Sequence, residues 1–261
     1  MKDAMKWQEF KAVAHSPQRA AAEFEKGWLW RTARWLGIRV AYVLFRLRVS
    51  ANAVSVLAVL LGVIAVAGVV WSAALPRWAG IVVLACCYGA IFLDFCDGPL
   101  ARARGISSPL CKILDGVGTD FLREGLIVAL GAAAGSPAFL LIGLLSGHFI
   151  VSVRNQFVWD GIAFDTQADA GVMGRLVRFS FSVVTMLALL PILIAVAFFA
   201  GLMRPFSRAT LVVYLALSIV WFCNACLRAA APGFDSTLSK RPAAPASLGA
   251  SLTKPNTSPG D

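Results

Sequence analysis

Six long apolar stretches constrain the fold of this chain more than any other feature of its sequence. They cover roughly residues 50–74, 79–104, 109–134, 137–159, 176–201 and 207–230. A helix needs about 20 mainly apolar residues to cross a bilayer. A chain that is 59% hydrophobic and only 15% charged is typical of a polytopic membrane protein and not of a soluble domain. We therefore predict an all-α integral membrane fold with six transmembrane helices.

The segment before the first apolar stretch, residues 1–48, is basic and rich in tryptophan. No proline interrupts it from about Gln18 to Arg48, and residues such as Trp28, Trp35 and Val43 recur at near-helical spacing. Arginines and indoles together are typical of a helix that lies at a membrane surface. We predict an amphipathic juxtamembrane helix here, with a plain solvated helix as the alternative.

The rest of the chain divides into two parts by composition. Residues 49–231 hold all six apolar stretches and form the predicted transmembrane catalytic domain. Residues 232–261 are rich in Pro, Ala, Ser, Gly and Thr, so we predict a disordered C-terminal tail.

The positions of Lys and Arg predict how the helices are oriented. The N-terminal arm, the 102–112 connection, the 154–178 connection and the tail all carry basic residues and fall on one side if six helices cross. That side is expected to be cytoplasmic, in a bacterial inner (plasma) membrane. Arg204 and Arg208 lie on the other side and are mild exceptions. The net charge of +10 therefore indicates membrane orientation and not binding of nucleic acid.

Four aspartates interrupt the second and third apolar stretches: Asp94, Asp97, Asp115 and Asp120. An ionised carboxylate in apolar surroundings is costly unless a cation or a hydrogen-bond donor meets it. Carboxylate oxygens are hard ligands, and they favour Mg²⁺ or Mn²⁺ over softer metals. The cluster therefore predicts a divalent-metal site at one level of the membrane.

The residues around the first two aspartates predict what the metal site acts on. Asp94 and Asp97 share one face of a helix because they are three residues apart. Gly98 and Ala101 are small and leave space beside them, and Arg102 adds a guanidinium suited to phosphate. Metal, arginine and membrane together indicate chemistry on the phosphate or diphosphate of a lipid.

This run, Asp94-x-x-Asp97-Gly98-x-x-Ala101-Arg102, resembles the first half of the signature of the CDP-alcohol phosphotransferase (phosphatidyltransferase) family. All fixed residues of that half, D-x2-D-G-x2-A-R, are present at the right spacing. The second half of the signature, G-x3-D-x3-D, is divergent.

In that second half Asp115 stands where the third aspartate belongs and Cys111 stands in the glycine position. Thr119 occupies the place of the fourth aspartate, and Asp120 comes one residue late. Outside the signature, the Ser50–Ser55 segment resembles the P-N-x-x-T opening of the family's first membrane helix.

The resemblance implies transfer of a phosphatidyl or similar group from a CDP-linked donor, such as CDP-diacylglycerol, to an alcohol, with release of CMP. It implies two divalent ions, Mg²⁺ or Mn²⁺, and it leaves a homodimer possible. Family members use the fourth aspartate as a metal ligand and general base. Carried onto this chain, the implied metal ligands are Asp94, Asp97, Asp115 and Asp120, the nucleotide- and phosphate-binding residues are Gly98, Ala101 and Arg102, and the catalytic residue is Asp120.

The run Gly174-Arg175-Leu176-Val177-Arg178 resembles a basic patch that the family has near the acceptor site. Arg154, at the end of the fourth apolar stretch, is a further candidate for binding phosphate, so the candidate acceptor-binding residues are Arg154, Arg175 and Arg178. Ordinary positive-inside anchoring is an equally good interpretation of these residues.

The displaced fourth aspartate leaves two interpretations open. On a regular helix positions 115 and 120 are roughly 140° apart, whereas positions 115 and 119 are roughly 40° apart. A π-bulge, made easier by Gly116 and Gly118, would turn Asp120 back toward Asp115. Alternatively the base is lost, and the protein binds nucleotide, metal or lipid without efficient turnover. A transporter with acids along an ion path is a third hypothesis, but the acids cluster at one level.

Overall fold

The computed structural model describes residues 5–15, 28–105, 109–159 and 189–229; within them, the side chains at 28–30, 109–117, 119, 150–159, 221–222 and 224–229 are not described. All secondary structure in the described residues is helical, so the all-α prediction is confirmed. The eight helices are α1 (Trp7–Ala14), α2 (Trp28–Arg46), α3 (Ala51–Val70), α4 (Ala79–Arg104), α5 (Pro109–Ala133), α6 (Pro137–Trp159), α7 (Leu190–Ala200) and α8 (Met203–Ala229).

Several of these helices are suited to a bilayer. Within the described residues, α3, α4 and the Met203–Val220 part of α8 are long and apolar enough to cross a membrane. The Pro137–Phe149 part of α6 and the whole of α7 are shorter apolar helices. This set is typical of a multi-pass integral membrane protein. α7 covers the end of the predicted fifth stretch, whose first part lies outside the described residues.

Local sequence signals determine where the helices near the site begin and end. Ser50 caps α3, because its hydroxyl accepts a hydrogen bond from the Ala53 backbone N–H at 3.1 Å. Gly105 ends α4 in the left-handed conformation, with φ of 66°, which glycine adopts without steric cost. Between α2 and α3 the chain turns at Arg48, which also has a positive φ, of 61°. The start of α3 lies close to the end of α4, because Ala51 and Val54 share an apolar cluster with Leu100 and Ala103.

The α4 helix is the central element, since it packs against α1, α2, α3 and α7. Near its start the contact with α7 is close: a Cβ at Gly80 would lie 2.7 Å from the Cβ of Phe198. Near its end, buried α4 side chains join a second apolar cluster formed with α1, α2 and the start of α3. This cluster consists of Phe10, Ala14, Ile38, Ala41, Phe45, Ala51, Val54, Cys96, Leu100 and Ala103.

The α5 and α6 helices form a tightly packed hairpin. A Cβ at Gly131 would lie 2.8 Å from the Phe139 carbonyl oxygen, and one at Gly143 would lie 3.0 Å from the Ile127 carbonyl oxygen. In the structure these glycines allow close backbone contact within the chain.

Arginines close the end of the bundle that lies away from the aspartates. Arg208 Nε donates to the Ala134 carbonyl oxygen at 3.2 Å, just after α5 ends. A Cβ at Gly135 would lie 3.5 Å from Arg204 Nε, and a Cβ at Gly201 would lie 3.3 Å from Arg77 Nη2. Guanidinium groups are favourable beside helix C-termini, whose last carbonyls have no partner within the helix. Arg204 and Arg208, the exceptions to the charge pattern, therefore have a structural role at this end.

The N-terminal segment contributes to the core instead of lying wholly on a surface. α2 occupies most of the predicted juxtamembrane helix and exposes Trp35, Leu36 and Val43. α1, by contrast, buries Phe10 and Ala14 completely. Residues 16–27 and the predicted tail lie outside the described residues.

Candidate active site

The Asp94–Arg102 run lies in the last part of α4, which has a proline, Pro99, inside the helix. Pro99 has no N–H, so it cannot donate the helical hydrogen bond to the carbonyl of Phe95, four residues earlier. Arg34 of α2 lies beside it, with Nη1 donating to the Phe95 oxygen at 3.5 Å and Cζ 5.0 Å from the ring centroid. Gly37 allows this approach, since a Cβ there would lie 3.0 Å from Phe95 Cβ. α2 thus fixes the helix between the two aspartates.

Asp97 is a buried carboxylate with a specific partner. Only 3% of the residue is exposed, and its Oδ2 accepts a hydrogen bond from Ser55 Oγ at 2.6 Å. Ser55, on α3, also lies 3.2 Å from the Ala51 carbonyl oxygen. Because a hydroxyl has one proton, the shorter contact indicates that Ser55 donates to the carboxylate. The bond holds the Asp97 side chain in one orientation between α3 and α4.

The other residues of the first half of the signature line the same part of α4. Asp94, Gly98, Ala101 and Arg102 are all half-buried. The Arg102 guanidinium folds back over Gly98, where a Cβ would lie 3.2 Å from Nη1 and 3.8 Å from Nη2. Its Nε donates to the Ala14 carbonyl oxygen of α1 at 2.9 Å. The structure therefore places two carboxylates, a small-residue surface and a guanidinium together at one helix end.

The acids of α5 are divided between two places. Asp120 is half-buried in the first half of the helix. Glu124, one turn on, lies 3.8 Å from the imidazole of His148 on α6, measured between Oε1 and Nδ1. Glu124 is therefore paired with α6, and His148 has a polar partner.

The α5 helix is α-helical at every residue from Pro109 to Ala133, with no π turn in that range. The bulge that would turn Asp120 toward position 115 is not present in the structure. Positions 115 and 120 thus remain roughly 140° apart around the axis.

For the remaining predicted site residues the structure describes no side chains. Asp115 and Thr119 are in α5 and Arg154 is in α6, but their side chains are not described. Arg175 and Arg178 lie outside the described residues altogether. Among the described side chains, no three acids, histidines or cysteines could hold a metal ion together. The predicted metal site also includes Asp115, whose side chain is not described, so the complete site stays a prediction.

The structure adds three residues that the sequence analysis did not place in the site. Ser55 was part of the resemblance only, at the threonine position of P-N-x-x-T. Arg34 has a signal in hindsight, because Pro99 within a helix leaves a carbonyl for another donor. Ala14 contributes a backbone oxygen, and nothing in its side chain could have indicated that.

A comparison with protein-family models supplies the observation that decides the family. The model described as CDP-alcohol phosphatidyltransferase matches residues 48–226, which is more than half of the chain. The chain belongs to the CDP-alcohol phosphatidyltransferase family. Membership implies transfer of a substituted phosphate group from a CDP-alcohol donor. The matched segment includes Ser55 and the whole aspartate run, but not α1 or α2. Neither the curated proteins nor the solved structures gave a match.

Proposed function

We propose that the protein transfers a phosphatidyl group from a CDP-linked lipid, CDP-diacylglycerol in the first place, to an alcohol in phospholipid biosynthesis. The acceptor oxygen bonds to the phosphorus of the phosphatidyl group. The bond from that phosphorus to the bridging oxygen of the diphosphate breaks, and CMP leaves. The main support is the buried Asp97, oriented by Ser55, within the segment that the family model matches.

The chemistry of the donor set fits the divalent ions that the family implies. Asp94 and Asp97 offer hard carboxylate oxygens on one face of α4, and Ser55 orients one of them. With Asp115 and Asp120 they would hold two ions, Mg²⁺ or Mn²⁺. When bound, such ions neutralise the charge of a diphosphate and of a leaving phosphate.

The chain's own residues then bind and orient the donor. The terminal nitrogens of Arg102 lie over Gly98, where a phosphate of the nucleotide would be met by two donors. The small side chain of Ala101 leaves space for the cytidine moiety. Asp120 would take the proton of the acceptor hydroxyl. Arg154, Arg175 and Arg178 would attract a charged acceptor.

The proposed arrangement in the membrane has six crossing helices and an interfacial α2, with the site facing the cytoplasm. Three connections near Arg77, Gly135 and Gly201 belong to the end of the bundle without the aspartates. The basic arm and the 102–112 connection then share the other end. A homodimer is compatible with this arrangement, and membrane lipids would be its other contacts.

The test is CMP release from CDP-diacylglycerol by purified protein, with Mn²⁺ or Mg²⁺ and a pool of acceptor alcohols. Asp97→Asn and Asp120→Asn run beside the unchanged protein, with EDTA as the metal control. We expect release by the unchanged protein and loss in both variants. Loss in Asp97→Asn alone would remove Asp120 from the proposed role of base. No release by well-folded protein with any CDP donor would refute the proposed transfer.

A catalytically impaired relative is the second candidate, and the regular α5 helix favours it. Without a π turn, Thr119 and not Asp120 occupies the helical position one turn after Asp115. Such a protein would bind nucleotide, metal or lipid without turnover. Thr119→Asp distinguishes the two candidates, since activity that appears only in this variant would show that the base had been lost.

A further inference from the structure

The N-terminal helix α1 lies outside the segment matched by the family model, yet it contacts a signature residue. Arg102 Nε donates to the carbonyl oxygen of Ala14 at 2.9 Å, across 88 positions of sequence. Ala14 is the last residue of α1, so its carbonyl has no partner within the helix. A guanidinium at a helix C-terminus is also favoured by the helix dipole.

The helix is held in place by buried apolar contacts. Phe10 and Ala14, one turn apart, are both 0% exposed. Phe10 contacts the rings of Tyr42 and Phe45 on α2, with centroids 5.3 Å and 5.4 Å away, and Trp7 contacts Tyr42 at 5.3 Å. α1 also packs against α4, since Phe10 and Ala14 belong to the same apolar cluster as Leu100 and Ala103. Its last carbonyl is therefore held at a defined place relative to Arg102.

This contact restricts the direction of the Arg102 side chain. The guanidinium is a rigid planar fork with five donors. With Nε engaged at Ala14, the opposite edge of the fork lies over Gly98, at 3.2 Å and 3.8 Å from the position of a Cβ. That edge, with Nη1 and Nη2, is the one suited to two oxygens of a phosphate.

We propose that α1 is a positioning element of the nucleotide site, which holds Arg102 through the Ala14 carbonyl so that its terminal nitrogens meet a phosphate of the CDP moiety above Gly98. The proposal rests on the proposed function and extends it to a helix outside the matched segment. Phe10 acts through Arg102 and has no contact with substrate of its own.

A double-mutant cycle tests the proposal, with the dissociation constant for CDP in the presence of Mn²⁺ as its main measurement. Phe10→Ala removes packing that holds α1 and should weaken CDP binding about tenfold. This is the lower end of the loss of affinity that follows when a residue supporting a binding side chain is removed. Arg102→Lys should weaken binding as well, because one ammonium cannot contact Ala14 and two phosphate oxygens together. In the Arg102→Lys background, Phe10→Ala should have no further effect.

Val13→Ala is the matched control, since Val13 is on α1 but 47% exposed, and it should leave the dissociation constant unchanged. Trp7→Ala, a milder change to the same packing, serves if Phe10→Ala fails to fold. A second measurement is the KM for CDP-diacylglycerol, which should rise in Phe10→Ala while kcat changes less.

Two results would overturn the proposal: an unchanged dissociation constant in Phe10→Ala, or equal weakening in both backgrounds, which indicates a general loss of structure. Absence of CDP binding by the unchanged protein would overturn it too. CDP binding does not require turnover. A protein that binds CDP but releases no CMP would therefore contradict the proposed function and leave the proposal about α1 standing.

Discussion

At the scale of single residues, the hydrogen bond between Ser55 and Asp97 is the most informative contact. Ser55→Ala removes the hydroxyl and leaves a buried carboxylate with one donor fewer. We expect the free energy of unfolding to fall by about 2 kcal/mol. We also expect weaker Mn²⁺ binding, because the carboxylate loses its fixed orientation. Thermal unfolding and metal titration of purified protein in detergent measure both effects.

Ser218→Ala is a matched control for this prediction. Ser218 is also buried, at 5% exposed, but its hydroxyl donates to the Tyr214 carbonyl oxygen at 2.7 Å within its own helix. Removing that hydroxyl leaves no buried charge without a donor. If both variants lose equal stability and Mn²⁺ binding is intact in each, Ser55 has no special relation to the site.

The residues of the site were predictable to different degrees. The Asp94–Arg102 run could be identified because its residue types and spacing carry the chemistry. Ser55 could not be assigned to Asp97, because the pairing depends on how two helices pack and not on spacing within one of them. The role of Ala14 is harder still to predict, because it involves a backbone carbonyl and every residue of a chain has one.

At the scale of helices, the crossing of α2 over α4 supports the site from outside. A Cβ at Gly37 would lie 3.0 Å from Phe95 Cβ and 3.2 Å from the Phe95 carbonyl oxygen. Backbone atoms cannot move aside as a flexible side chain can. Gly37→Ala should therefore push α2 away and lower the free energy of unfolding by about 1–3 kcal/mol. It should also reduce CMP release, because Phe95 lies between Asp94 and Asp97.

Gly62→Ala makes the same chemical change within α3, where the new Cβ would meet Leu122 side-chain atoms at an ordinary 3.7 Å and 3.9 Å. Alanine favours the helix over glycine by about 1 kcal/mol at either position. Gly62→Ala should therefore be neutral or slightly more stable in the same unfolding experiment. Similar stabilities for the two variants would contradict the close crossing at Gly37.

Most of the long helices could be predicted from the sequence, because the length and hydropathy of an apolar stretch indicate a membrane helix. The predicted stretches at 79–104 and 137–159 coincide with α4 and α6. What hydropathy could not give is the role of α1, an eight-residue helix with a lysine and a glutamate among its residues. In α1 the residues Phe10 and Ala14 are buried, and their burial depends on contacts with α2 and α4 that the sequence of α1 does not indicate.

At the scale of the whole molecule, the arginines have two distinct uses. Arg77, Arg204 and Arg208 lie at the end of the bundle away from the aspartates, where Arg208 bonds a carbonyl just after α5. Arg34 and Arg102 lie near the site and bond carbonyls of α4 and α1. The arginines of the far end lie beside helix ends, so their position there has a structural reason. A count of positive charges that includes them therefore underestimates how strongly the charge pattern indicates orientation.

This distinction leads to a prediction about orientation. With the far-end arginines set aside, the basic arm and the 102–112 connection dominate the charge pattern and should face the cytoplasm. Arg46, the last residue of α2, and Ala74, in the turn after α3, are exposed positions on opposite sides of α3. Arg46→Cys and Ala74→Cys, each as a single cysteine in a cysteine-free background, report the two sides of the membrane. A membrane-impermeant maleimide should label Cys introduced at Ala74 in spheroplasts, and Cys introduced at Arg46 only in inside-out vesicles. The reverse labelling pattern would contradict this orientation, because it would place the site on the outer side of the membrane. A CDP-linked donor made in the cytoplasm could not reach a site there.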